Sequence, residues 1–177
     1  GTPLAYSNGE TGACAINGTV TGNILGGHNE CGGSYTDTWE FTDDCGRSIS
    51  ASRTITVEPA DLPVFAATND INIACGDAPP TGTPLTYTNG QAGACEISGT
   101  VMGEISGNHN DCGGTYVETW VFTDLCGRTI TTSRNITVDP APVAAFEATS
   151  NINIPCGSAP PTGTALNYTN GGNGACD

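Results

Sequence analysis

The stretch FTDLCGRTIT, residues 122–131, carries a cysteine in the expected turn of a β-hairpin. The segments on either side, TYVETWVFTD (115–124) and RTITTSRNITV (128–138), alternate in polarity and are rich in β-branched and aromatic residues, as antiparallel strands are. A three-residue loop that ends in glycine suits the left-handed bulge of such hairpins. This loop sets Asp124 opposite Arg128 and thereby fixes which residues of the two strands face one another.

The register of this hairpin predicts an ion pair and a core face. Glu118 lies opposite Arg134, and in the preceding copy of the hairpin Asp37 lies opposite Arg53. Opposite charges that face one another across two strands stabilise a sheet, so we expect structural ion pairs rather than catalytic groups. The aromatic residues expected in the core are Tyr35, Trp39, Phe41, Tyr116, Trp120 and Phe122.

The whole chain repeats itself with a period of 81 residues. Cys14, Cys95 and Cys176 are equally spaced (95 − 14 = 81 and 176 − 95 = 81), and the phrases around them align without a gap. FTDDCGRSIS precedes FTDLCGRTIT by one period, and GTPLAYSNG, GTPLTYTNG and GTALNYTNG occur in three successive periods. Such self-similarity at a fixed period predicts tandem structural repeats.

Two proline-containing segments mark the expected boundaries between the repeats. VEPADLPVF (57–65) and VDPAPVAAF (138–146) each follow a β-rich run, and their prolines oppose the continuation of a strand. We therefore predict a first repeat at 1–60 that lacks its beginning, a complete repeat at 61–141 and the N-terminal part of a third at 142–177. The chain is expected to be a segment of a longer array, with neighbouring repeats as its first partners.

Composition favours an extracellular all-β protein. Nine cysteines among 177 residues suggest an oxidising compartment, and the 25 glycines and 11 prolines suit short strands and turns. The net charge of −14 opposes binding to nucleic acids and to anionic membrane surfaces. No apolar run is long enough for a membrane-spanning helix, and no hydrolase, metalloprotease or phosphate-loop motif occurs, so we expect neither membrane insertion nor an enzyme.

The four cysteines of each repeat are expected to form disulfides within that repeat. Tracing the predicted strands brings them together in two pairs, one at each end of the unit, because a ten-residue strand spans about 33 Å and separates the residues at its ends. The predicted bonds are Cys75–Cys112, Cys95–Cys126 and Cys14–Cys45, which leaves Cys31, Cys156 and Cys176 with partners outside the chain. Pairing of sequence neighbours is the alternative, with Cys75–Cys95, Cys112–Cys126 and Cys31–Cys45.

Two kinds of metal site are considered, and neither is predicted. HNEC (28–31) and HNDC (109–112) superficially resemble zinc-ligand spacing, but each has a single histidine and a cysteine that is expected in a disulfide. Calcium at a boundary between repeats is the alternative, because acids cluster near the predicted turns, although no dense DxDxD-like loop occurs. These acids are Asp43, Asp44, Asp70, Asp77 and Asp124. No cofactor is therefore expected.

The phrases DINIACGDAPP, GAC, NDCGG and TWVFTDLCGRTIT, in this order, resemble the four-cysteine HYR-like repeat, an immunoglobulin-like module. Such repeats occur in tandem in very large surface adhesins of Bacteroidetes, including gliding-motility adhesins of the SprB type. The resemblance covers the whole chain. It implies tandem immunoglobulin-like antiparallel β-sandwiches, export through the type IX secretion system and a position at the cell surface.

On this basis we expect a structural stalk or filament segment of a large secreted adhesin for surface attachment or gliding motility. Two alternatives remain open. In the first, each repeat binds surface polysaccharide or the substratum weakly, with avidity supplied by copy number. In the second, the chain is a subunit of a self-assembling extracellular filament. A repeating ridge of exposed aromatic residues would favour binding, whereas aromatic residues in the core favour the stalk.

Overall fold

The chain folds into β-strands and turns, so the predicted all-β class is confirmed. The computed structural model describes residues 1–176 and contains no α-helix within them. The helical elements found in the described residues are three 3₁₀ turns, Gly12–Cys14, Gly93–Cys95 and Gly174–Cys176, each with the sequence GAC. Within the same residues, no helix is long and apolar enough to cross a membrane.

The strands recur at the period of the sequence. The first six are β1 (Pro3–Ser7), β2 (Asn17–Thr21), β3 (Asn23–Asn29), β4 (Gly32–Thr42), β5 (Ser48–Val57) and β6 (Val64–Phe65). They are followed by β7 (Ile71–Ile73), β8 (Pro84–Thr88), β9 (Ser98–Met102), β10 (Glu104–Asn110), β11 (Gly113–Thr123), β12 (Thr129–Val138), β13 (Ala145–Phe146) and β14 (Tyr168–Thr169). Strands β1–β5 return as β8–β12 with the same boundaries one period later, for example Pro3 and Pro84 (84 − 3 = 81).

The strands assemble into several small sheets. Their orders are β1-β2, β3-β4-β5, β6-β8-β9, β10-β11-β12-β7 and β13-β14. The pairs β1–β2, β3–β4, β4–β5, β10–β11 and β13–β14 are antiparallel, whereas β7 is parallel to β12. In the β4–β5 hairpin, Asp37 faces Arg53 and Trp39 faces Ala51, which is the register expected from a three-residue loop after Asp43.

Contacts divide the chain into two compact units. The first contains Gly1–Val64 with Thr86–Gly99 and Thr123–Ile130, and its core includes Trp39, at 6% exposure. The second contains Phe65–Leu85, Thr100–Phe122 and the chain from Thr131 onward, and its core is centred on Trp120, at 1% exposure. Each unit therefore combines segments of two successive sequence repeats, so the compact units and the 81-residue repeats are not the same divisions of the chain.

Candidate functional site

The turn that carries Cys126 is held by a single carboxylate. Asp124 accepts hydrogen bonds from the backbone N–H of Cys126 (2.9 Å) and of Arg128 (2.8 Å), and another from Arg128 Nε (2.7 Å). Gly127 has a φ of 77°, in the left-handed region where a side chain is strained. Burial opposes the ionisation of Asp124, but its hydrogen bonds with Arg128 outweigh this effect and lower the pKa of the carboxyl. Local chemistry thus fixes the turn with its cysteine at the tip.

The turn one period earlier is built in the same way. Asp43 accepts hydrogen bonds from the backbone N–H of Cys45 (3.0 Å) and Arg47 (2.9 Å) and from Arg47 Nε (2.7 Å). The backbone hydrogen bond from Arg47 is the largest cause of a lowered pKa at Asp43, and the side-chain hydrogen bond to Asp43 raises the pKa of Arg47. Cys45 is exposed and unbonded, so the turn forms without a disulfide.

In the first compact unit, Cys126 is bonded to Cys31 of the preceding sequence repeat. Their Cα atoms are 5.4 Å apart although 95 positions separate them in the chain. Next to the disulfide, the Leu125 N–H donates a hydrogen bond to Glu30 Oε1 (2.9 Å). The tip of the β11–β12 hairpin is therefore attached to the β3–β4 loop of the repeat before it.

The segment that connects these two repeats is packed into the same junction. Ala60 is 3% exposed. Its N–H donates to the Glu30 carbonyl (2.8 Å), and its carbonyl accepts a hydrogen bond from Arg128 Nη1 (2.7 Å). The Asp61 N–H donates to Gln91 Oε1 (3.1 Å). The predicted linker is thus ordered by both repeats, because its backbone is hydrogen-bonded to each of them.

The second compact unit contains the other disulfide, Cys75–Cys176, with Cα atoms 5.8 Å apart and a sequence separation of 101. Cys75 belongs to the second sequence repeat and Cys176, which is 1% exposed, to the third. The Ala141 N–H donates to the Asp111 carbonyl (2.8 Å), as Ala60 does to Glu30 one period earlier. The two junctions therefore share a backbone contact but are crossed by different pairs of cysteines.

His109 lies beside the second disulfide. Its Nδ1 is 2.9 Å from the Tyr116 hydroxyl, and a ring nitrogen lies within 4.8 Å of the sulfur atoms of Cys75 and Cys176. Zinc binds cysteine as the thiolate, and two sulfur atoms joined in a disulfide supply none. Cys112, which is close to His109 in sequence, is not part of this group.

The predicted disulfides were wrong. Cys75–Cys112, Cys95–Cys126 and Cys14–Cys45 do not form, and neither do the alternative neighbour pairs. Cys31 and Cys176, expected to pair outside the chain, bond within it. Cys75 does approach the loop of Cys112, since its Sγ is 3.7 Å from the Asn110 carbonyl, but Cys176 occupies the bonding position. The physical reason is that packing of adjoining repeats places a cysteine of one repeat within bonding distance of a cysteine of the next, so neither bonds to a cysteine of its own repeat.

Five cysteines are unbonded in the described part of the chain. Four are exposed and Cys95 is half-buried; they are Cys14, Cys45, Cys95, Cys112 and Cys156. Cys156 was expected to lack a partner within the chain. The other four were expected in disulfides, and each retains the local backbone setting of its equivalent, as shown by the N–H of Cys31 and of Cys112, which donates to an asparagine Oδ1 at 2.9 Å in both cases.

The structure forms the Glu118–Arg134 ion pair at a buried position. Glu118 has no exposed surface, and its Oε2 is 2.7 Å from Arg134 Nη2 and 2.9 Å from Arg134 Nε. The other carboxylate oxygen accepts hydrogen bonds from the N–H and the hydroxyl of Thr83. Arg134 also lies over the Trp120 ring, 5.5 Å from its centroid. All acceptor positions are directed at protein groups, which suits a structural role.

The Asp37–Arg53 pair is a less complete version of the same cluster. Asp37 has no exposed surface and its Oδ2 is 3.0 Å from Arg53 Nη2, but Arg53 has 49% of its side chain exposed. The remaining oxygen, Oδ1, has no hydrogen-bond partner among residues 1–176. Arg53 Nη2 also donates to Thr2 Oγ1 (2.9 Å). A side chain one methylene shorter than glutamate therefore leaves one carboxylate oxygen unsatisfied.

The aromatic residues expected in the core are buried to different degrees. Trp39 and Trp120 are buried, and each donates its indole N–H to a backbone carbonyl, at Thr2 (2.7 Å) and Thr83 (2.8 Å) respectively. The other four are half-buried: Tyr35, Phe41, Tyr116 and Phe122. The tyrosine hydroxyls contact histidine Nδ1, at 2.8 Å for Tyr35–His28 and 2.9 Å for Tyr116–His109.

The acids considered for calcium are engaged within their own turns and strands. In residues 1–176 they form no group of three that could surround an ion. Asp43 and Asp124 bind their turn arginines, Asp70 accepts the Asn135 N–H (2.7 Å), Asp77 accepts the Ala74 N–H (2.9 Å) and Asp44 is exposed. Hydrogen bonds to the protein account for four of these five carboxylates.

Comparison with known proteins adds no assignment, because no family model, no curated protein and no solved structure matches the chain.

Proposed function

We propose that the chain is a tension-bearing stalk segment of a large secreted cell-surface adhesin, built from tandem immunoglobulin-like β-sandwich repeats of the HYR-like type. The observation that supports this most directly is that both disulfides join one sequence repeat to the next. A bond within a repeat would stabilise that repeat alone. A bond between successive repeats also resists their separation when the two ends are pulled apart.

The size of the closed loops gives these bonds a large effect on stability. They close loops of 95 and 101 residues. Closing a loop of about 100 residues removes chain entropy from the unfolded state that corresponds to about 4.7 kcal/mol in the chain-entropy model. The buried apolar side chains are few, so crosslinks of this size form a substantial part of the stability. A repeat outside the cell can rely on them because disulfides persist there.

The position of the aromatic residues favours a stalk over a binding module. Trp39 and Trp120 are 6% and 1% exposed, and both use their indole N–H groups within the protein. Aromatic side chains that stack on a sugar or surface must be accessible. The two largest aromatic residues of the repeats are therefore committed to the core, which supports a spacer and not a glycan-binding ridge.

An in-frame deletion of one period in the full-length protein tests the proposed role. Removal of residues 61–141 joins Ala60 to Pro142 and keeps every later residue in phase with the 81-residue repeat. We expect cells with the shortened protein to retain surface attachment or gliding, with the protein still detected at the cell surface by antibodies to the remaining repeats. The reach of the adhesin, measured by electron microscopy, should decrease.

Two outcomes would contradict the proposal. Loss of attachment despite normal surface display would assign the binding function to these repeats. Retention of the protein inside cells of the source organism would remove the extracellular role. As a control, the purified chain should not adhere to polysaccharide-coated or bare glass beads, whereas a multivalent binding module would adhere.

A further inference from the structure

The nine cysteines fall into four equivalent positions of the repeat. We name them strand cysteines (Cys75, Cys156), 3₁₀ cysteines (Cys14, Cys95, Cys176), loop cysteines (Cys31, Cys112) and turn cysteines (Cys45, Cys126). The bond Cys31–Cys126 joins a loop cysteine to the turn cysteine of the next repeat, and Cys75–Cys176 joins a strand cysteine to the 3₁₀ cysteine of the next repeat. Each of the four positions is thus used once.

The two disulfides cross different junctions, but the junctions are built alike. In the first unit β3 packs against Gly93–Cys95, and in the second β10, its equivalent, packs against Gly174–Cys176. The Ala60 N–H donates to the Glu30 carbonyl, and the Ala141 N–H donates to the Asp111 carbonyl, both at 2.8 Å. Equivalent contacts imply that a cysteine pair formed at one junction has its counterpart at the other.

We propose that every junction between successive repeats is crossed by two disulfides, one from loop to turn cysteine and one from strand to 3₁₀ cysteine. The separations of 95 and 101 residues define both bonds. Applied to the nine cysteines, these separations allow two bonds within residues 1–177, and both are formed. The five unbonded cysteines are then halves of bonds to adjoining repeats: Cys14, Cys45, Cys95, Cys112 and Cys156.

The partner of each unbonded cysteine is therefore a specific position of another repeat. Cys112, at the second junction, bonds to the turn cysteine of the third repeat, as Cys31 bonds to Cys126 at the first junction. Cys95, at the first junction, corresponds to Cys176 and takes a strand cysteine of the repeat before it. Each bond forms when two thiols lose two protons and two electrons to a disulfide oxidant. With oxidised glutathione, one protein disulfide forms and two molecules of reduced glutathione are released.

Extension of the chain by part of one repeat tests this rule. The 177 residues are followed by a second copy of residues 97–141, which continues the phase because Asp177 corresponds to Glu96. The copy adds one loop and one turn cysteine, giving eleven cysteines (9 + 2). After refolding in a glutathione redox buffer, peptide mapping without reduction should find Cys112 joined to the copied turn cysteine. Three disulfides leave five free thiols.

Matched serine variants make the result decisive. In the extended chain, Cys112→Ser should raise the thiol count from five to six, because the copied turn cysteine loses its partner. In the 177-residue chain, the same variant should lower the count from five to four and leave both disulfides intact. In that chain Cys31→Ser, at the equivalent position, should raise the count from five to six because it releases Cys126. A bond between Cys112 and Cys75, or a copied turn cysteine that stays reduced, would overturn the rule.

This inference rests on the proposed function for the longer array of repeats and for the oxidising environment in which the bonds form. The mapping is done on purified protein, so its failure would leave the attachment assay unaffected, and a failed attachment assay would leave the mapped bonds unchanged.

Discussion

Glu118 and Arg134 form a buried ion pair, with the carboxylate fully enclosed and Arg134 Nη2 2.7 Å from Glu118 Oε2. Arg134 has 17% of its side chain exposed, so water compensates little for a lost partner. The equivalent pair, Asp37–Arg53, has the same buried acid but an arginine with 49% exposure. The repeat therefore supplies two versions of one cluster that differ in how far solvent reaches the cation.

Replacement of Glu118 by glutamine should destabilise the strand β11. Glutamine keeps the shape of the side chain but leaves the charge of Arg134 without a buried counterion, at a cost of about 3 kcal/mol. Hydrogen exchange followed by mass spectrometry measures this locally, and amides of β11 should exchange roughly 100-fold faster. Asp37→Asn is the matched control, and we expect a cost of about 1 kcal/mol because solvent hydrates Arg53. Equal effects of the two variants would contradict this interpretation.

The Asp37→Glu variant should stabilise the first compact unit. Glutamate extends the carboxylate by one methylene toward Thr2, where Glu118 accepts two hydrogen bonds from the equivalent Thr83. Satisfying the orphaned oxygen of Asp37 should contribute about 1 kcal/mol. Urea denaturation in parallel with the Glu118→Asp variant, which should lose stability, provides the comparison. A lower midpoint for Asp37→Glu would show that the site cannot accommodate the extra methylene.

Local chemistry explains why the hairpins could be predicted. The Asp43 carboxylate binds the backbone of the turn and so sets the loop length. The alternation of polar and apolar residues along β4 and β5 then sets the register, so the pairing of Asp37 with Arg53 was predicted correctly. The all-β class followed in the same way from short alternating segments separated by glycine and proline. Each of these features depends on residues close together in the chain.

The preferred prediction joined Cys126 to Cys95 and the alternative joined it to Cys112, whereas the structure joins it to Cys31. The alternative had the right kind of partner, and the repeat makes two such partners equivalent. Cys31 and Cys112 occupy the same HN-x-C loop in successive repeats, so local sequence does not tell which one Cys126 meets. The choice depends on packing around Ala60, whose carbonyl accepts a hydrogen bond from Arg128. Alanine recurs at 60 and 141, each time after an acid and a proline, and this recurrence was the one sequence signal of an ordered junction.

Gly103→Ala should destabilise the second compact unit by crowding the buried carboxylate. A Cβ atom at Gly103 would lie 2.4 Å from Glu118 Oε1, so the carboxylate would have to leave its hydrogen bonds with Thr83. Such overpacking costs about 1 to 3 kcal/mol. Gly163→Ala is the control, since a Cβ there meets nothing within 4 Å and its φ lies outside the left-handed region. Equal urea midpoints for the two variants would contradict the close approach.

The turn carboxylate Asp124 should make stability fall in acid. Burial raises the pKa of Asp124, but the hydrogen bonds from Arg128 lower it by more, so the net effect is a lowered pKa. The folded protein therefore favours the ionised carboxylate more strongly than the unfolded chain does. A carboxyl whose pKa is lower in the folded protein stabilises the fold at pH values above its unfolded-state pKa of about 3.9. This contribution to stability is lost as the pH falls through the folded-state pKa. Asp124→Asn should therefore lose less stability than the parent between about pH 5 and pH 2. If the acid-unfolding curves of the parent and of Asp124→Asn ran parallel, this would contradict the stabilising role of the Asp124 carboxylate.

Reduction should lengthen the chain when it is pulled from both ends. In the oxidised protein the Cys75–Cys176 bond excludes 101 residue steps from extension, so reduction should release about 350 Å of contour length at roughly 3.5 Å per residue. Optical tweezers with handles at the two termini measure this directly. The Cys75→Ser variant should still release about 330 Å, because Cys31–Cys126 excludes 95 steps. Cys112→Ser should match the parent, since Cys112 is unbonded. Bonds confined to single repeats would release less than about 250 Å, in several smaller steps, and that result would contradict crosslinked junctions.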